Sequence, residues 1–398
     1  MPQRGQRRSG SAFSRRWRIT AISPNGGSSV PISSQMKKLE PFDLPITAVA
    51  IPKQPAITRN STQSLSRVGV PPGLAGYLRS MDHLRAEPED LDELPLDELR
   101  ELDLEEASHP DLPAHVASAS GVARRGRNVY VIGDESTHLA CFDMTSDAPG
   151  TLRRVLSGET STDPSERSRN KPDLEALTVL PPGEGSAYGL LFGIGSGSGD
   201  KRDRGFAWDL DADGSLRGEP REVDLSPAYE LLRGEIGALN IEGAAVLDEE
   251  LLLFHRGNDE ESRNAIARLE LAHALESMHG DLRIDVEEIS ALKTYELGQL
   301  DDVDLCFSDA TPLGSGLVVF TAAAEDDEGA IHGSVVGVID DSGDVRRLRR
   351  IDRKWKVEGI HATIDTGVLD LLFVCDQDDP DTPSPLLGAS MPLEAGLE

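Results

Sequence analysis

Aromatic residues, cysteines and long apolar runs are all scarce in this 398-residue sequence, and each shortage excludes something. Phe, Trp and Tyr make up only 4% of the chain, so we expect a core built mostly from Leu, Val, Ala and Ile. No window of eighteen apolar residues occurs, which excludes a membrane-spanning helix. Cys141, Cys306 and Cys375 show no CxxC spacing, and each lies in an apolar run. We therefore expect buried free thiols, which favours a reducing, cytoplasmic compartment.

The charge is strongly acidic and unevenly placed. The net charge is −30, yet residues 1–90 contain 13 Lys or Arg against 6 Asp or Glu, so the other 308 residues carry −37. A surface this acidic repels nucleic-acid phosphate and anionic lipid. We therefore expect neither nucleic acid nor a membrane as a partner, and a small molecule or a protein instead.

Residues 1–90 are rich in Arg, Ser, Pro and Gly, which predicts a disordered basic tail or a start site placed too early. Met36 and Met81 are the alternative initiators. The segment SRRWRI at 14–19 is similar to a twin-arginine export signal, but the residues after it are too polar for the apolar stretch that such a signal needs. Export is therefore less favoured than a cytoplasmic location.

One motif occurs five times, and it combines a polar residue, a small residue and a short apolar run. The copies begin ASGVARRG at 119, LEALTVL at 174, IEGAAVL at 241, SDATPLG at 308 and VEGIHAT at 357. Their polar positions are Ser120, Glu175, Glu242, Asp309 and Glu358. Repeats at 50–70-residue intervals that each begin with a pair of apolar strands are typical of β-propellers.

A second signature, Gly-x-Leu/Val-Arg, lies inside four of these units and begins at Gly150, Gly214, Gly280 and Gly343. A glycine there predicts a hairpin between two further strands, so each unit has four strands. The third unit carries a helical insert, LELAHALESMHG. We predict an all-β propeller over 95–390 with five blades, six being the alternative count. The fifth unit lacks the hairpin, and ELRELDLEE at 98–106 is the candidate for its missing strand.

The repeat predicts that one polar residue per blade faces a common axial mouth. Four carboxylates there, Glu175, Glu242, Asp309 and Glu358, would repel one another by roughly 3 kcal/mol per pair. Raised pKa values, basic neighbours or a bound cation would relieve this repulsion. Oxygen ligands alone favour Ca²⁺ or Mg²⁺, which makes these four the candidate metal ligands. The alternative is that each carboxylate accepts amides of the next blade and acts as a structural link.

Other polar residues follow the second strands and are expected near the same mouth. The candidate ligand-binding residues are Ser196, Ser198, Lys201, Arg202, His255, Arg256, Asn258 and Asp376. His361 and His255 are the candidates for a general base. The glycine-rich GIGSGSG at 193–199 is followed by a strand pattern and not by a helix, so we interpret it as a loop and not as a dinucleotide site.

The segments NKPDLEALTVL, IEGAAVL, DDVDLCFSDATPL and KVEGIHA together resemble an uncharacterised bacterial propeller family, a domain of unknown function, over about 95–390. The wider pattern is similar to phytase-like and SdiA-regulated-like propellers. Gluconolactonase-type propellers also open a blade with Glu-Gly and bind a divalent cation through that Glu, and Glu242 and Glu358 match this position. The aromatic residue that follows their motif is absent here.

Two functions remain open from the sequence. The first is binding of a small ligand at the acidic mouth, through a divalent cation or without one. The second, implied by the phytase-like and gluconolactonase-like resemblance, is metal-dependent hydrolysis of a phosphoester, lactone or ester.

Overall fold

The computed structural model describes residues 83–86, 93–134, 136–156, 166, 170–199, 201–257, 263–314, 316–326, 328–377 and 379–392. All described residues belong to one unit of the chain, residues 68–398. The predicted N-terminal tail lies outside the described residues, except for 83–86. Neither of the two described α-helices is long and apolar enough to cross a membrane.

Five antiparallel sheets form a ring, so the prediction of a five-bladed β-propeller is confirmed. Two short strands precede the first blade, β1 (His83–Arg85) and β2 (Asp97–Glu101). Blade 1 contains β3 (Gly121–Arg125), β4 (Asn128–Ile132), β5 (His138–Asp143) and β6 (Thr151–Arg154). Blade 2 contains β7 (Leu174–Leu180), β8 (Leu190–Gly195), β9 (Arg204–Leu210) and β10 (Leu216–Asp224), and helix α1 (Ser226–Ile236) follows it.

The remaining blades repeat this plan with additions. Blade 3 contains β11 (Ile241–Leu247), β12 (Glu250–His255), β13 (Asn264–Glu270) and β14 (Ile289–Glu296), with helix α2 (Leu271–His279) and a 3-10 turn (Val286–Glu288) before its last strand. Blade 4 contains β15 (Gln299–Leu300), β16 (Val303–Gly314), β17 (Leu317–Glu325), β18 (Ile331–Asp340) and β19 (Val345–Arg350). Blade 5 contains β20 (Val357–Asp365), β21 (Val368–Cys375) and β22 (Pro385–Pro392). The predicted helical insert is α2, whereas α1 was not predicted.

The ring closes where the sequence predicted it. Strand β2 pairs antiparallel with β22 as the fourth strand of blade 5, with Asp97 opposite Gly388 and Glu101 opposite Pro385. Leu102 and Leu104, which follow β2, are buried between blades 5 and 1. Borrowing this strand covers an edge that would otherwise present unpaired backbone groups. The strand β1 also joins a sheet, parallel to β14 at the outer edge of blade 3, and this pairing was not predicted.

The core is divided among the boundaries between blades. Five clusters of described apolar residues each join one blade to the next, from blades 1 and 2 round to blades 5 and 1. Aliphatic side chains dominate them, as the composition predicts. The few aromatic residues are concentrated, because Phe307 makes edge-to-face contacts with Phe254 and Phe320 at centroid distances of 5.0 and 5.1 Å. Cys141, Cys306 and Cys375 are free thiols.

The second signature has a structural explanation at two of its four positions. Gly214 and Gly343 have φ values of +80° and +79°, which a hairpin turn requires and which glycine adopts without strain. Their carbonyl oxygens accept hydrogen bonds from the Tyr130 and Tyr295 hydroxyls of the preceding blade, at 2.5 and 3.1 Å. Gly280 instead ends helix α2 at a negative φ. The signature therefore marks contacts between blades as well as turns.

Candidate functional site at the axial mouth

Three glutamates of the repeat lie in β-bulges at the start of inner strands. In β7 the cross-strand pairing passes from Leu174 to Ala176 and leaves Glu175 without an opposite residue. The same interruption occurs at Glu242 in β11 and at Glu358 in β20. A bulge changes the direction of the side chain that it contains. The three carboxyl groups lie near enough to one another that Glu242 and Glu358 both raise the pKa of Glu175.

Asp309 does not occupy the position that the motif glutamates occupy in their blades. It lies one residue later in blade 4. The bulge of blade 4 falls between Phe307 and Asp309, so Ser308 corresponds to the glutamates and Asp309 to the small residue after them. Asp309 is fully buried, and its two carboxylate oxygens accept the backbone N–H groups of Ala310 at 2.7 Å and Ile360 at 2.8 Å. This is the arrangement expected for a structural link between blades 4 and 5. The misalignment arose because bulge positions are visible only in the strand pairing.

The small residue after each glutamate allows neighbouring inner strands to approach closely. A Cβ atom added to Gly243 would lie 2.7 Å from the backbone nitrogen of Ala310 in the next blade. One added to Gly359 would lie 2.9 Å from the Ser120 carbonyl oxygen and 2.6 Å from the Val374 side chain. The Glu-Gly pair therefore has two separate roles, since the glycine packs the ring and the glutamate supplies a carboxyl group to its mouth.

Basic side chains accompany two of the three glutamates. The Asn240 amide donates to Glu242 Oε1 at 2.6 Å, and Arg256 Nη1 lies 3.7 Å from the same oxygen. Arg256 also binds Glu325 at 2.5 Å. Burial raises the pKa of Glu242 to about 8, although Arg256 favours its ionised form.

Glu358 is flanked by a lysine in the same way. Lys356 Nζ lies 3.5 Å from Glu358 Oε1 and 3.6 Å from Asp376 Oδ2. Burial raises the pKa of Glu358, and Arg256 and Lys356 oppose that change. On this side of the mouth the repulsion between carboxylates is therefore relieved by basic neighbours.

Blade 2 places an ammonium group between two aspartates. Lys171 Nζ lies 2.9 Å from Asp134 Oδ2 and 3.0 Å from Asp173 Oδ1. Arg202 Nη1 lies 2.7 Å from Asp173 Oδ2, and the Ser196 hydroxyl donates to that oxygen at 2.5 Å. Asp173 has a φ of +52°, a conformation that non-glycine residues rarely adopt and that is often found at functional sites.

In the described part of the chain, one trio of carboxylates is compact enough to hold a metal ion. One oxygen each of Asp134, Asp173 and Glu175 lie within 4.8 Å of one another. An all-oxygen set suits a hard cation such as Ca²⁺ or Mg²⁺. The trio contains one of the four predicted ligands, Glu175. The Lys171 ammonium already contacts both aspartates, so a metal ion at this position would have to displace it.

Glu175 is the carboxyl group that the mouth leaves without a basic partner among the described residues. Burial raises its pKa well above the ordinary value, and the charges of Glu242, Asp134, Asp173 and Glu358 raise it further. The protonated form of Glu175 is therefore favoured over what its ordinary pKa would give. Glu175 lines a cavity of about 710 Å³, together with Asp134, Lys171, Asp173, Arg202 and Asn240.

Most predicted ligand-binding residues lie at or beside this mouth, but their contacts differ. Ser196 and Ser198 hydrogen-bond to Asp173, as Arg202 does. Lys201 is exposed and donates to the Asn170 side chain. Asn258 lies outside the described residues.

The two candidate catalytic histidines are both placed unfavourably for contact with a ligand. His255 is only 1% exposed, and its Nδ1 atom lies 3.1 Å from the Asn240 backbone nitrogen. His361 lies three residues beyond Glu358 on β20, roughly 10 Å further along the strand. Burial lowers the pKa of His361 to about 4, and Arg124 adds to this effect, so the ring is neutral.

Lys171, Asp173, Asn240 and Lys356 were missed by the sequence reasoning, although the sequence contains a signal for three of them. Asp173, Asn240 and Lys356 each precede a motif glutamate by two residues. Side chains two positions apart in a strand share a face, so the position two residues before each motif glutamate was a candidate. Lys171 is four residues from Glu175 in an irregular segment and follows no such rule.

Comparison with known proteins shows the family. Residues 115–391 match a family of unknown function (DUF6929). The chain belongs to this family. The resemblance to an uncharacterised propeller family is thereby confirmed. No curated protein matches the chain.

Several solved structures are similar to this chain. Myxococcus xanthus glutaminyl cyclase is 11% identical, covering 78% of this chain and 100% of that one, with a TM-score of 0.39. A putative exo-beta-1,3-galactanase from Bifidobacterium bifidum s17 is 11% identical over 75% of this chain and 95% of that one, also at 0.39. A putative exported protein from Bacteroides fragilis is 9% identical over 79% and 100%, at 0.34. At these values the likenesses carry no argument about the chemistry of this chain.

Proposed function

We propose that the axial mouth binds a small ligand through a positively charged group, and that Glu175 is the carboxyl group that receives it. The observation that carries this proposal is the state of Glu175, which lines a large open cavity, lacks a basic partner among the described residues and has a strongly raised pKa. A cation placed beside it would favour the ionised form. Binding would therefore supply a positive charge that the described residues do not place beside Glu175.

The charge balance of the mouth supports a cationic ligand. Its described acidic residues are Asp134, Asp173, Glu175, Glu242, Glu325, Glu358 and Asp376, and its described basic residues are Lys171, Arg202, Arg233, Arg256 and Lys356. Seven acidic groups against five basic ones leave two negative charges when all are ionised. An anionic ligand would add to this excess, whereas a cation would reduce it.

Two kinds of cation have the required chemistry. Ca²⁺ or Mg²⁺ would use the compact oxygens of Asp134, Asp173 and Glu175 and would displace the Lys171 ammonium. An organic ammonium group would bind to Glu175 alone and leave Lys171 in place. The position of Lys171 between two aspartates supports the view that ammonium groups suit this environment.

Thermal unfolding of the full chain tests the proposal. It is measured in EDTA, then with Ca²⁺ or Mg²⁺, and separately with methylammonium. A ligand at a hundred times its Kd should raise the unfolding free energy by about 2.7 kcal/mol. The gain should disappear in Glu175→Gln and persist in Glu249→Gln, an exposed control on the β11–β12 turn. A stabilisation by metal alone assigns the metal, one by methylammonium alone assigns the amine, and the absence of both rejects the proposal.

Hydrolysis is the second candidate function, and one relationship favours it. Asp173 is paired with Lys171 and Arg202, whereas Glu175 has no basic partner among the described residues and has a raised pKa. One oxygen of each lies within 4.8 Å of the other. Two nearby carboxyl groups in such different environments can act as a base and an acid. With Ca²⁺ or Mg²⁺ present, we would assay a phosphoester, an ester and a lactone. Loss of activity by about 100-fold or more in Glu175→Gln would support this function, and no turnover of any of the three would reject it.

A further inference from the structure

We propose that a second cavity, between blades 5 and 1, binds a small amphipathic amine. The cavity has a volume of about 480 Å³ and lies beside the axial mouth, with Asp134 on the boundary between the two. Glu175 is not among the described residues that line it. The proposal therefore does not rest on the function proposed for the mouth.

The walls of this side cavity are largely apolar. Blade 1 contributes Val131 from β4, Ala140 from β5 and Leu152 from β6. The segment that follows β2 contributes Leu104 and Val116, which belong to the apolar cluster between blades 5 and 1. Ligand cavities of this size usually combine an apolar lining with a few polar groups that orient the ligand. The lining suits a phenyl ring or a short branched alkyl group.

The charged groups of the side cavity are all acidic. Its described lining includes Asp134, Asp376 and Asp379 and no Lys or Arg. Lys171 lies 2.9 Å from Asp134, and Lys356 lies 3.6 Å from Asp376. Asp379 is exposed and has no Lys or Arg partner among the described residues, although His115 lies near it.

Asp379 is therefore the carboxylate best placed to receive a positive charge. Its oxygens accept the Thr382 hydroxyl at 2.8 Å and the Asp381 backbone N–H at 3.1 Å. The hydrogen bond from Thr382, with that of the Asp381 amide, lowers the pKa of Asp379 and keeps it ionised. A positively charged group is attracted to it, and a carboxylate or phosphate is repelled.

Two histidines, His115 and His138, add polar ring nitrogens to the lining. His115 Nε2 lies 3.1 Å from the Pro380 carbonyl oxygen, which can only accept, so this nitrogen is the donor. Burial lowers the pKa of His138, and the nearby Arg154 adds to this. At neutral pH His138 is therefore uncharged.

Isothermal titration calorimetry on the full chain tests the inference with three probes of similar shape. They are 2-phenylethylamine, the neutral 2-phenylethanol and the anionic 3-phenylpropanoate. We expect the amine to bind about tenfold more tightly than the alcohol, which corresponds to about 1.4 kcal/mol, and the anion to bind more weakly than either. Equal affinity for all three, or no heat from the amine at millimolar concentration, would overturn the inference.

Substitutions locate the binding. Asp379→Asn should remove the preference for the amine over the alcohol, whereas Asp381→Asn, an exposed neighbour, should keep it. Leu152→Trp should fill the cavity and weaken the binding of both the amine and the alcohol. Glu249→Gln, the exposed control on the β11–β12 turn, should leave the affinity for the amine unchanged. Loss of the amine preference in Glu175→Gln would instead place the amine in the mouth, so that failure here and failure of the proposal for the mouth are separate results. An amine preference that survives Asp379→Asn, or is lost in Glu175→Gln, would contradict the assignment to this cavity.

Discussion

The carboxylate of Asp309 accepts the backbone N–H of Ile360 at 2.8 Å, across the boundary between blades 4 and 5. Its second oxygen accepts the N–H of its own neighbour, Ala310, at 2.7 Å. A single buried side chain thus satisfies two backbone donors in two blades. Burial raises the pKa of this carboxyl group, and the two amides oppose the change. Asp309 therefore connects the ring at a point where the other blades place a glycine or an alanine.

Replacing Asp309 should destabilise the protein strongly. Asp309→Ala would leave two buried N–H groups unsatisfied, at about 1–3 kcal/mol each. Asp309→Asn keeps one acceptor oxygen and should cost less. Chemical denaturation of both variants would measure the loss, with Asp304→Asn, which is exposed, as the control. An unfolding free energy unchanged in Asp309→Ala would show that the link contributes nothing.

Close packing at the motif glycine should make Gly359→Ala destabilising. The added Cβ would lie 2.6 Å from the Val374 side chain and 2.9 Å from the Ser120 carbonyl oxygen, and overpacking of this kind costs about 1–3 kcal/mol. Gly234→Ala in helix α1 is the matched control, because no atom lies within 4 Å of its added Cβ and alanine favours a helix by roughly 0.5–1 kcal/mol. The two substitutions should thus shift the melting temperature in opposite directions. A shift of the same sign in both would contradict the packing argument.

The segment that closes the ring contains two leucines, and substitutions at these two positions should change the stability by different amounts. Leu102 is fully buried beside blades 5 and 1, whereas Leu99 on β2 is 48% exposed. Leu102→Ala should therefore cost about 2–5 kcal/mol, and Leu99→Ala should change stability by less than about 0.5 kcal/mol. Equilibrium unfolding in urea measures both. Similar small losses would mean that the segment is not held in the ring as the structure places it.

The buried glutamates predict a definite dependence of stability on pH. The pKa of Glu175 is raised in the folded state, so the folded protein keeps a proton that the unfolded chain releases. The stability that this proton confers is complete below the ordinary value of 4.5 and is lost as the pH rises toward the folded pKa. Glu175→Gln, which resembles the protonated group, should therefore become more stable relative to wild type as the pH rises from 5 to 8.

The contribution of Glu175 must be measured as the difference in melting temperature between the variant and wild type, because other groups titrate in the same pH range. Burial lowers the pKa values of His138 and His361, and both therefore contribute the opposite slope, with stability falling as the pH is lowered. Melting temperatures of wild type, Glu175→Gln and the control Glu249→Gln at several pH values separate these contributions. A constant difference between Glu175→Gln and wild type would show that Glu175 has an ordinary pKa.

Much of the fold was predictable because the repeat is local in sequence. The motif glutamates marked the inner strands, and the glycines at 214 and 343 marked hairpins that the structure contains. The closing strand was predictable in place but not in type, since the leucine spacing at 98–106 suits a helix as well as a strand. Strand β1 and helix α1 were missed, because their partners are distant in sequence.

The site was less predictable for a physical reason. A bulge is defined by what lies across the strand, so neither the shift that places Ser308 at the glutamate position nor the inward role of Asp309 could be seen in the sequence. The ion pairs of Lys171 with Asp134 and of Arg256 with Glu325 join residues 37 and 69 positions apart. Such contacts depend on the geometry of the ring.

The central claim is that the mouth takes up a cation at Glu175, whose pKa is raised by burial, and that the cation displaces the proton of this group. Calorimetric titration in two buffers tests this most directly. The full chain would be titrated at neutral pH with whichever of Ca²⁺, Mg²⁺ and methylammonium stabilises it, in buffers with different heats of ionisation. Binding to a protonated carboxyl group releases a proton, so we predict a heat that depends on the buffer in wild type and weaker binding without proton release in Glu175→Gln. A heat independent of the buffer, or equal affinity in Glu175→Gln, would contradict the account.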